Sequence, residues 1–282
     1  MKCVVFGAGT MGCGIAEVLL RSGAHVQLID RSSELVEAGV GRLRASLHRG
    51  VSKGKLTAEE AAACLSRVKS DSLEVSEAEL VIEAVVEDLA VKKELLAPLS
   101  VRFPAALLAS NTSSLSLTEI AAACARPERV IGLHFFNPPP IMELLEVVTA
   151  EQTGPATLER ALELARSWGK TPIVVKDTPG FASSRLGIIL GMEAIRMLES
   201  GVAGARDIDR AMELGYRHPM GPLKLTDLVG LDVRLAIAEH LTREIGPQFT
   251  PPPLLRRLVR AGRLGKKTGQ GFYRWEGNDS YE

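Results

Sequence analysis

KCVVFGAGTMGCGIAEVLLRSGAHVQLID, residues Lys2 to Asp30, decides the fold of this chain. Lys2 to Phe6 is a short apolar run that ends in glycines, which reads as a strand. Met11 to Ser22 carries Ile15, Val18 and Leu19 at helical spacing, with the small Gly12 and Ala16 among them. His25 to Asp30 is a second strand. Strand, turn, helix and strand in this order make a crossover, the connection that parallel strands require. The turn, Gly7-Ala8-Gly9-Thr10-Met11-Gly12, is a GxGxxG, and Asp30 ends the next strand about 20 residues on. A GxGxxG alone is a weak signal. Between a strand and a helix, and followed by that aspartate, it predicts a dinucleotide site.

Each residue of this loop has a physical task. Gly7 allows the tight turn, Gly9 lets the backbone approach a pyrophosphate, and Gly12 lets helix and strand pack closely. The helix N-terminus, with Thr10 and Met11 beside it, stabilises phosphate charge. Asp30 is placed to accept hydrogen bonds from the adenine ribose hydroxyls. A 2′-phosphate there would meet a carboxylate, so the reading is NAD rather than NADP. Arg31 is the one neighbour that would suit such a phosphate; otherwise it reads as a solvated surface charge.

Working outward, Ser33 to Val51 has Leu35, Val36, Val40, Leu43 and Leu47 at helical spacing. A break at Lys53-Gly54-Lys55 follows, and Thr57 with Glu60 makes a capping box for a helix to about Arg67. A helical hairpin is thus inserted before the next strand, as extra packing or as a wall for a long substrate. Strands are expected at Leu80 to Val86, Leu107 to Ser110, Val130 to Phe136, Leu144 to Thr149 and Ile173 to Lys176. Helices are expected at Leu89 to Phe103, from Leu117, and at Thr157 to Trp168. The alternation predicts an α/β domain, a Rossmann-type doubly wound sheet over residues 1–178. Beyond Asp177-Thr178-Pro179-Gly180 the pattern is helical: Ser183 to Ser200, Ala205 to Leu214, Leu223 to Ile245 and Pro253 to Ala261. Residues 179–282 are therefore expected to form a smaller all-helical domain, with a polar, frayed tail from Glu276.

Lys plus Arg equals Asp plus Glu, at 34 each, so no long-range field points to nucleic acid. Apolar residues make up 46%, enough for a core. Cys3, Cys13, Cys64 and Cys124 are scattered, with no CxxC pair or metal spacing, which fits free thiols in a reducing compartment. With no apolar run near the roughly 20 residues of a membrane span and a first strand that leaves no room for a signal peptide, the expectation is a cytoplasmic protein without metal.

Of the five histidines, His25, His48, His218 and His240 suit structural or surface roles. His134 lies at the C-terminal end of a strand, the edge where an open α/β sheet binds ligands. Pro138-Pro139-Pro140 cannot sustain a ladder, so the chain turns there. Glu146 lies on the strand that returns. A carboxylate on one ring nitrogen would fix the tautomer of His134 and stabilise its imidazolium, as suits a general base. Spacing alone leaves open whether the two meet. Ser110-Asn111-Thr112-Ser113-Ser114 brings hydroxyls to the same edge and also supplies helix caps.

GAGTMGCGIA, SNTSSL, GLHFFNP, EVV, DTPGF, GPLKLTDLVGLD and GKKTGQGFY occur in this order. Together they closely resemble the short-chain L-3-hydroxyacyl-CoA dehydrogenases, including the 3-hydroxybutyryl-CoA dehydrogenases, over nearly the whole chain. The resemblance implies NAD-linked interconversion of 3-hydroxyacyl-CoA and 3-oxoacyl-CoA. His134 matches the catalytic base, Glu146 its partner carboxylate, and Ser113 a serine that contacts substrate and cofactor. Asn137 matches the asparagine of the histidine motif. Asp30, Glu87, Lys92 and Lys267 match cofactor-side positions, and Ser46 and Lys53 match coenzyme A contacts on the inserted hairpin. The family also implies a homodimer through the C-terminal domain. One position departs from the pattern: Ser184 stands where the family has an asparagine, which puts substrate positioning in question. The rival reading is a relative acting on a small free hydroxy acid, of the L-gulonate or L-carnitine type, which needs no CoA contacts. A non-catalytic protein on the same scaffold, as among lens crystallins, would not need the intact loop and pair.

Overall fold

The computed structural model describes residues 1–70, 75 and 77–281. The chain divides into two compact units, Met1–Thr178 and Pro179–Glu282.

The first unit runs β1 (Lys2–Phe6), α1 (Thr10–Arg21), β2 (His25–Ile29), α2 (Ser33–Ser52), α3 (Ala58–Ser66), β3 (Val68–Lys69), β4 (Leu80–Glu83) and α4 (Leu89–Arg102). It continues with β5 (Leu107–Ser110), α5 (Leu117–Ala122), β6 (Val130–Phe135), β7 (Leu144–Thr149), α6 (Pro155–Ser167) and β8 (Thr171–Lys176). The strands form one sheet in the order β3-β2-β1-β4-β5-β6-β7-β8. Neighbouring strands from β3 to β6 are parallel, β7 runs antiparallel to β6, and β8 is parallel to β7. The core packs α1 onto the sheet through Ile15, Leu19 and Leu20, against Val5, Leu28, Ile82 and Leu133, all buried. Leu43 and Leu47 of the inserted hairpin join this core, so the hairpin is anchored by burial. Its second helix carries the expected capping box between Thr57 and Glu60.

Local differences from the sequence reading have local causes. β4 ends at Glu83 instead of Val86: the Val85 N–H turns back to the Glu83 carboxylate at 3.2 Å, and Val86 is left exposed. β3 is only two residues long, too short for a periodicity to register.

The second unit is helical: α7 (Ser183–Glu199), α8 (Ala205–Gly215), α9 (Pro222–Val229), α10 (Leu231–Glu244) and α11 (Pro253–Arg260). The single helix expected over 223–245 is broken at Gly230, whose φ of +106° suits glycine. The tail is not frayed through its described residues. β9 (Arg274–Glu276) and β10 (Asp279–Tyr281) form an antiparallel hairpin pairing Trp275 with Ser280. Their polar composition hid them, because only Trp275 turns inward and is buried. Asp227 holds this end of the chain: it accepts from the N–H groups of Phe272 and Tyr273 at 2.9 Å and from the Trp275 indole at 2.8 Å.

Candidate active site

The glycine loop lies between β1 and α1, at the carboxyl ends of the parallel strands. A Cβ on Gly7 would overlap the Ala84 carbonyl, and one on Gly12 would overlap the Gly7 carbonyl. These two glycines let the loop, β4 and α1 approach closely. A Cβ on Gly9 would meet nothing within 4 Å. The open side of the loop is therefore at Gly9, directly before α1, which has no side-chain cap. Bare backbone N–H groups at a helix start, with space in front of them, fit a dinucleotide pyrophosphate. Thr10 is exposed and Met11 half-buried at the same opening. Asp30 fastens the loop from the next strand, accepting from the N–H groups of Ala8 and Arg31 at 2.7 Å each. Its two oxygens retain lone pairs for a ribose hydroxyl. Arg42 of the inserted hairpin donates to the Ala8 carbonyl at 2.6 Å.

A second group sits at the ends of β4 and β5. Glu83 is fully buried, and Lys92, 1% exposed, reaches it from α4 with Nζ at 2.9 and 2.7 Å from the two oxygens. The Ser110 hydroxyl donates to the same carboxylate. Lys92 also lies 3.3 Å from Glu87. Glu87 accepts from the Thr112 hydroxyl at 2.7 Å and the Ser113 N–H at 2.8 Å, with the Ser113 hydroxyl at 3.2 Å. Burial opposes ionisation of Glu87, but Lys92 and the donors from Thr112 and Ser113 outweigh it and hold its carboxyl below the ordinary value. Lys92 is thus a support for Glu87, and Glu87 orders the loop that carries Ser113. Sequence reasoning missed Glu83, although a lone carboxylate inside the apolar strand Leu80–Glu83 is the signal that a buried cation must be near.

The strand pair β6–β7 carries the third group. His134 and Glu146 stand directly opposite each other in the ladder. His134 Nδ1 lies 2.7 Å from Glu146 Oε2. His134 is 7% exposed and Glu146 is fully buried. The Phe136 ring packs 4.7 Å from the imidazole. Nδ1 is engaged by the carboxylate, so a general-base role for this histidine would fall to Nε2. Asn111, from the loop after β5, accepts from the Phe135 N–H at 2.9 Å and so ties the Ser113 loop to the histidine strand. The proline turn is clamped by Lys170, which donates to the carbonyls of Pro139 and Met142 at 2.6 and 2.7 Å.

A cleft of about 210 Å³ is lined by Thr10 of α1, by Arg42, Ser46 and Arg49 of α2, and by Asn137 to Pro140 of the proline turn. It brings Ser46 and Asn137 together with the cofactor loop. Lys53 does not line it. It caps the end of α2 and is exposed, with Lys55, beside the turn at Gly54. Lys267 and Ser184 lie in the second unit. Lys267 pairs with Asp232 at 2.6 Å, and Ser184 is half-buried in the first turn of α7. Among the described residues no helix is long and apolar enough to cross a membrane, and no cluster of three or more His, Cys, Asp or Glu could hold a metal.

Comparison with known proteins bears on the whole chain. The family model for the NAD binding domain of 3-hydroxyacyl-CoA dehydrogenase matches residues 2–178, and that for its C-terminal domain matches residues 180–275. The probable 3-hydroxybutyryl-CoA dehydrogenase of Bacillus subtilis is 46% identical over 279 residues, 98% of this chain and 97% of its own. The 3-hydroxyadipyl-CoA dehydrogenase of Escherichia coli is 45% identical over 276 residues, 96% of this chain and 58% of its own. The crystal structure of Mycobacterium tuberculosis FadB2 superposes with a TM-score of 0.92 at 45% identity, covering 97% of this chain and 98% of that one. A dinucleotide loop, a His–Glu pair on the same sheet edge and these matches along nearly the full length lead to one conclusion: the chain belongs to the 3-hydroxyacyl-CoA dehydrogenase family.

Proposed function

We propose that this chain interconverts (S)-3-hydroxyacyl-CoA and 3-oxoacyl-CoA, using NAD and a His134–Glu146 general base pair. The observation that carries this reading is the 2.7 Å contact between the two side chains at the sheet edge that also holds the glycine loop. When bound, NAD supplies the acceptor for the hydride from the 3-carbon. His134 takes the proton of the 3-hydroxyl on Nε2 and returns it in the reverse direction. Glu146, out of reach of water, stabilises the imidazolium that forms. Ser113 holds the reacting oxygen, and Glu87 keeps the Ser113 loop in place.

Gly7, Gly9, Gly12, Thr10 and Met11 form the pyrophosphate cradle in this reading. Asp30, Glu87 and Asn137 complete the cofactor side, with Lys92 acting through Glu87 and Lys267 contributing from the second unit. Ser46 and Lys53 serve the CoA moiety, and Ser184 contacts the acyl part. Relatives of nearly equal identity carry the names of a hydroxybutyryl and a hydroxyadipyl substrate, so overall identity does not choose the acyl chain.

The test is a rate panel of 3-oxoacyl-CoA chains with NADH and with NADPH, run beside the free-acid substrates of the L-gulonate and L-carnitine type. We expect reduction of the CoA thioesters with NADH. In Lys53→Ala the KM for acetoacetyl-CoA rises by about 3–30-fold, the value of one phosphate contact made by a cation, with kcat little changed. An enzyme of free hydroxy acids would show no change in either constant.

The second unit exposes Leu186, Leu214, Tyr216, Leu228, Val229 and Val233. Apolar surface of this extent suits a contact between copies, and a homodimer through this unit, working in the cytoplasm in fatty acid metabolism, is the assembly we propose. Sedimentation at micromolar concentration should give twice the chain mass. A monomer there would refute the dimer.

A further inference from the structure

Ala8, the residue between the first two glycines of the loop, is held at both of its backbone groups. It is 1% exposed, so those groups need partners inside the protein. Its N–H donates to Asp30 Oδ2 at 2.7 Å. Its carbonyl accepts from Arg42 Nη2 at 2.6 Å and from the Cys13 thiol at 3.0 Å. A thiol is a weak donor, so the guanidinium is the stronger of the two partners. Arg42 comes from α2, the first helix of the inserted hairpin. That helix packs directly on the loop: a Cβ on Gly39, one turn before Arg42, would lie 2.7 Å from Ala8 Cβ and 3.0 Å from the Ala8 carbonyl oxygen.

The direction of this carbonyl sets the direction of the next donor. The Ala8–Gly9 peptide is trans. In a trans peptide the carbonyl and the following N–H point to opposite sides of one rigid plane. With the Ala8 carbonyl fixed toward α2, the Gly9 N–H is turned away from α2. It has no acceptor among the described residues, and Gly9 borders the open side of the loop. Such a plane needs a clamp. Glycine places little restriction on the bond that follows the peptide, so rotation of the whole plane is resisted mainly by what holds its carbonyl.

We propose that Arg42 is a positioning residue for the cofactor: by holding the Ala8 carbonyl it presents the Gly9 N–H to the dinucleotide pyrophosphate. It acts through the peptide plane and not by touching the phosphates. This deepens the function proposed above and rests on its pyrophosphate cradle.

The experiment measures binding to the wild-type protein, Arg42→Met and Arg42→Lys. NADH is followed by fluorescence, and ADP-ribose and adenosine by competition with it. The first competitor carries the pyrophosphate and the second does not. Arg42 is exposed, so both variants should fold, and thermal unfolding checks that they do. In Arg42→Met the Kd values of NADH and of ADP-ribose rise by about 3–10-fold, the value of one hydrogen bond, while that of adenosine is unchanged. Arg42→Lys, which keeps a long side chain with a donor at its end, recovers most of the loss. The ratio of Arg42→Met to wild type persists in about 1 M salt, where a charge acting through solvent is screened. Unchanged NADH binding in Arg42→Met would overturn the proposal. An equal loss for adenosine would overturn it too, because the loop would then be disturbed as a whole. A ratio that vanishes in salt would also overturn it, assigning Arg42 to long-range attraction of the phosphates. Failure of the wild type to bind either NADH or ADP-ribose is a different outcome, because it removes the pyrophosphate cradle itself and this proposal with it.

Discussion

His134→Gln lowers turnover by about 10²–10⁴-fold, the range for a positioned general base, while the affinity for NADH is kept. Glutamine holds a side-chain amide near the same place but cannot take up the proton. The cofactor loop, at the ends of β1 and α1, does not depend on the imidazole. The proton balance sets the sign of the pH dependence. Oxidation of the hydroxy substrate releases a proton and gains as pH rises; reduction of the oxo substrate takes one up and gains as pH falls. Steady-state rates in both directions, with NADH binding followed by fluorescence, check this. A variant that turns over within a factor of a few of wild type would remove His134 from the mechanism.

The second large effect is on stability. Lys92→Met should destabilise the first unit by about 3–5 kcal/mol, the cost of leaving one partner of a buried ion pair alone. Glu83 would keep the Ser110 hydroxyl but lose its counter-ion. Glu87 carries the sign of the pH effect. Its carboxyl is held below its ordinary 4.5, so its contribution is fully present above that value and is lost as pH falls through the lowered folded value. Without Lys92 the folded carboxyl moves back toward its ordinary value, so this contribution is smaller and its loss is complete at a higher pH. Urea unfolding at pH 7 and at acid pH measures both effects, read as separate transitions where the two units unfold separately. Adding Glu83→Gln to Lys92→Met should recover part of the loss, because the stranded charge is then removed. A cost below about 1 kcal/mol for Lys92→Met would place the pair among weak surface bridges instead.

Much of this molecule was legible in its sequence because the signals are local. The GxGxxG sits between two apolar runs, and its helix and strand form as the spacing predicts. The capping box at Thr57 and Glu60 is a four-residue pattern and closes as read. The His134–Glu146 contact was not decidable from spacing, because it depends on the register of β6 against β7, which many residues set together. The meaning of Lys92 was hidden for a related reason. Glu83 and Ser110 end neighbouring strands and Glu87 lies in the loop after β4, and only the folded sheet edge sets Lys92 against both carboxylates with Ser110 on Glu83. The break at Gly230 was obscured by the apolar residues that continue on both sides of it. The hairpin at 274–281 was obscured because Asp227, far away in sequence, supplies the acceptor that holds it.

The antiparallel step from β6 to β7 has a consequence for how the catalytic pair can fail. Residues paired across a ladder are placed by every rung on either side of them. The separation of His134 and Glu146 is therefore insulated from the conformation of residues 136–143, and the turn can change in length without loosening the pair, provided the strands re-form in phase. A slip by one residue does not weaken the contact gradually. It turns Glu146 to the opposite face of the sheet and offers His134 a hydrocarbon neighbour. Insertions after Pro140, clear of Asn137 and the cleft-lining prolines, should accordingly give two populations of variant, nearly unimpaired and nearly dead, with few between.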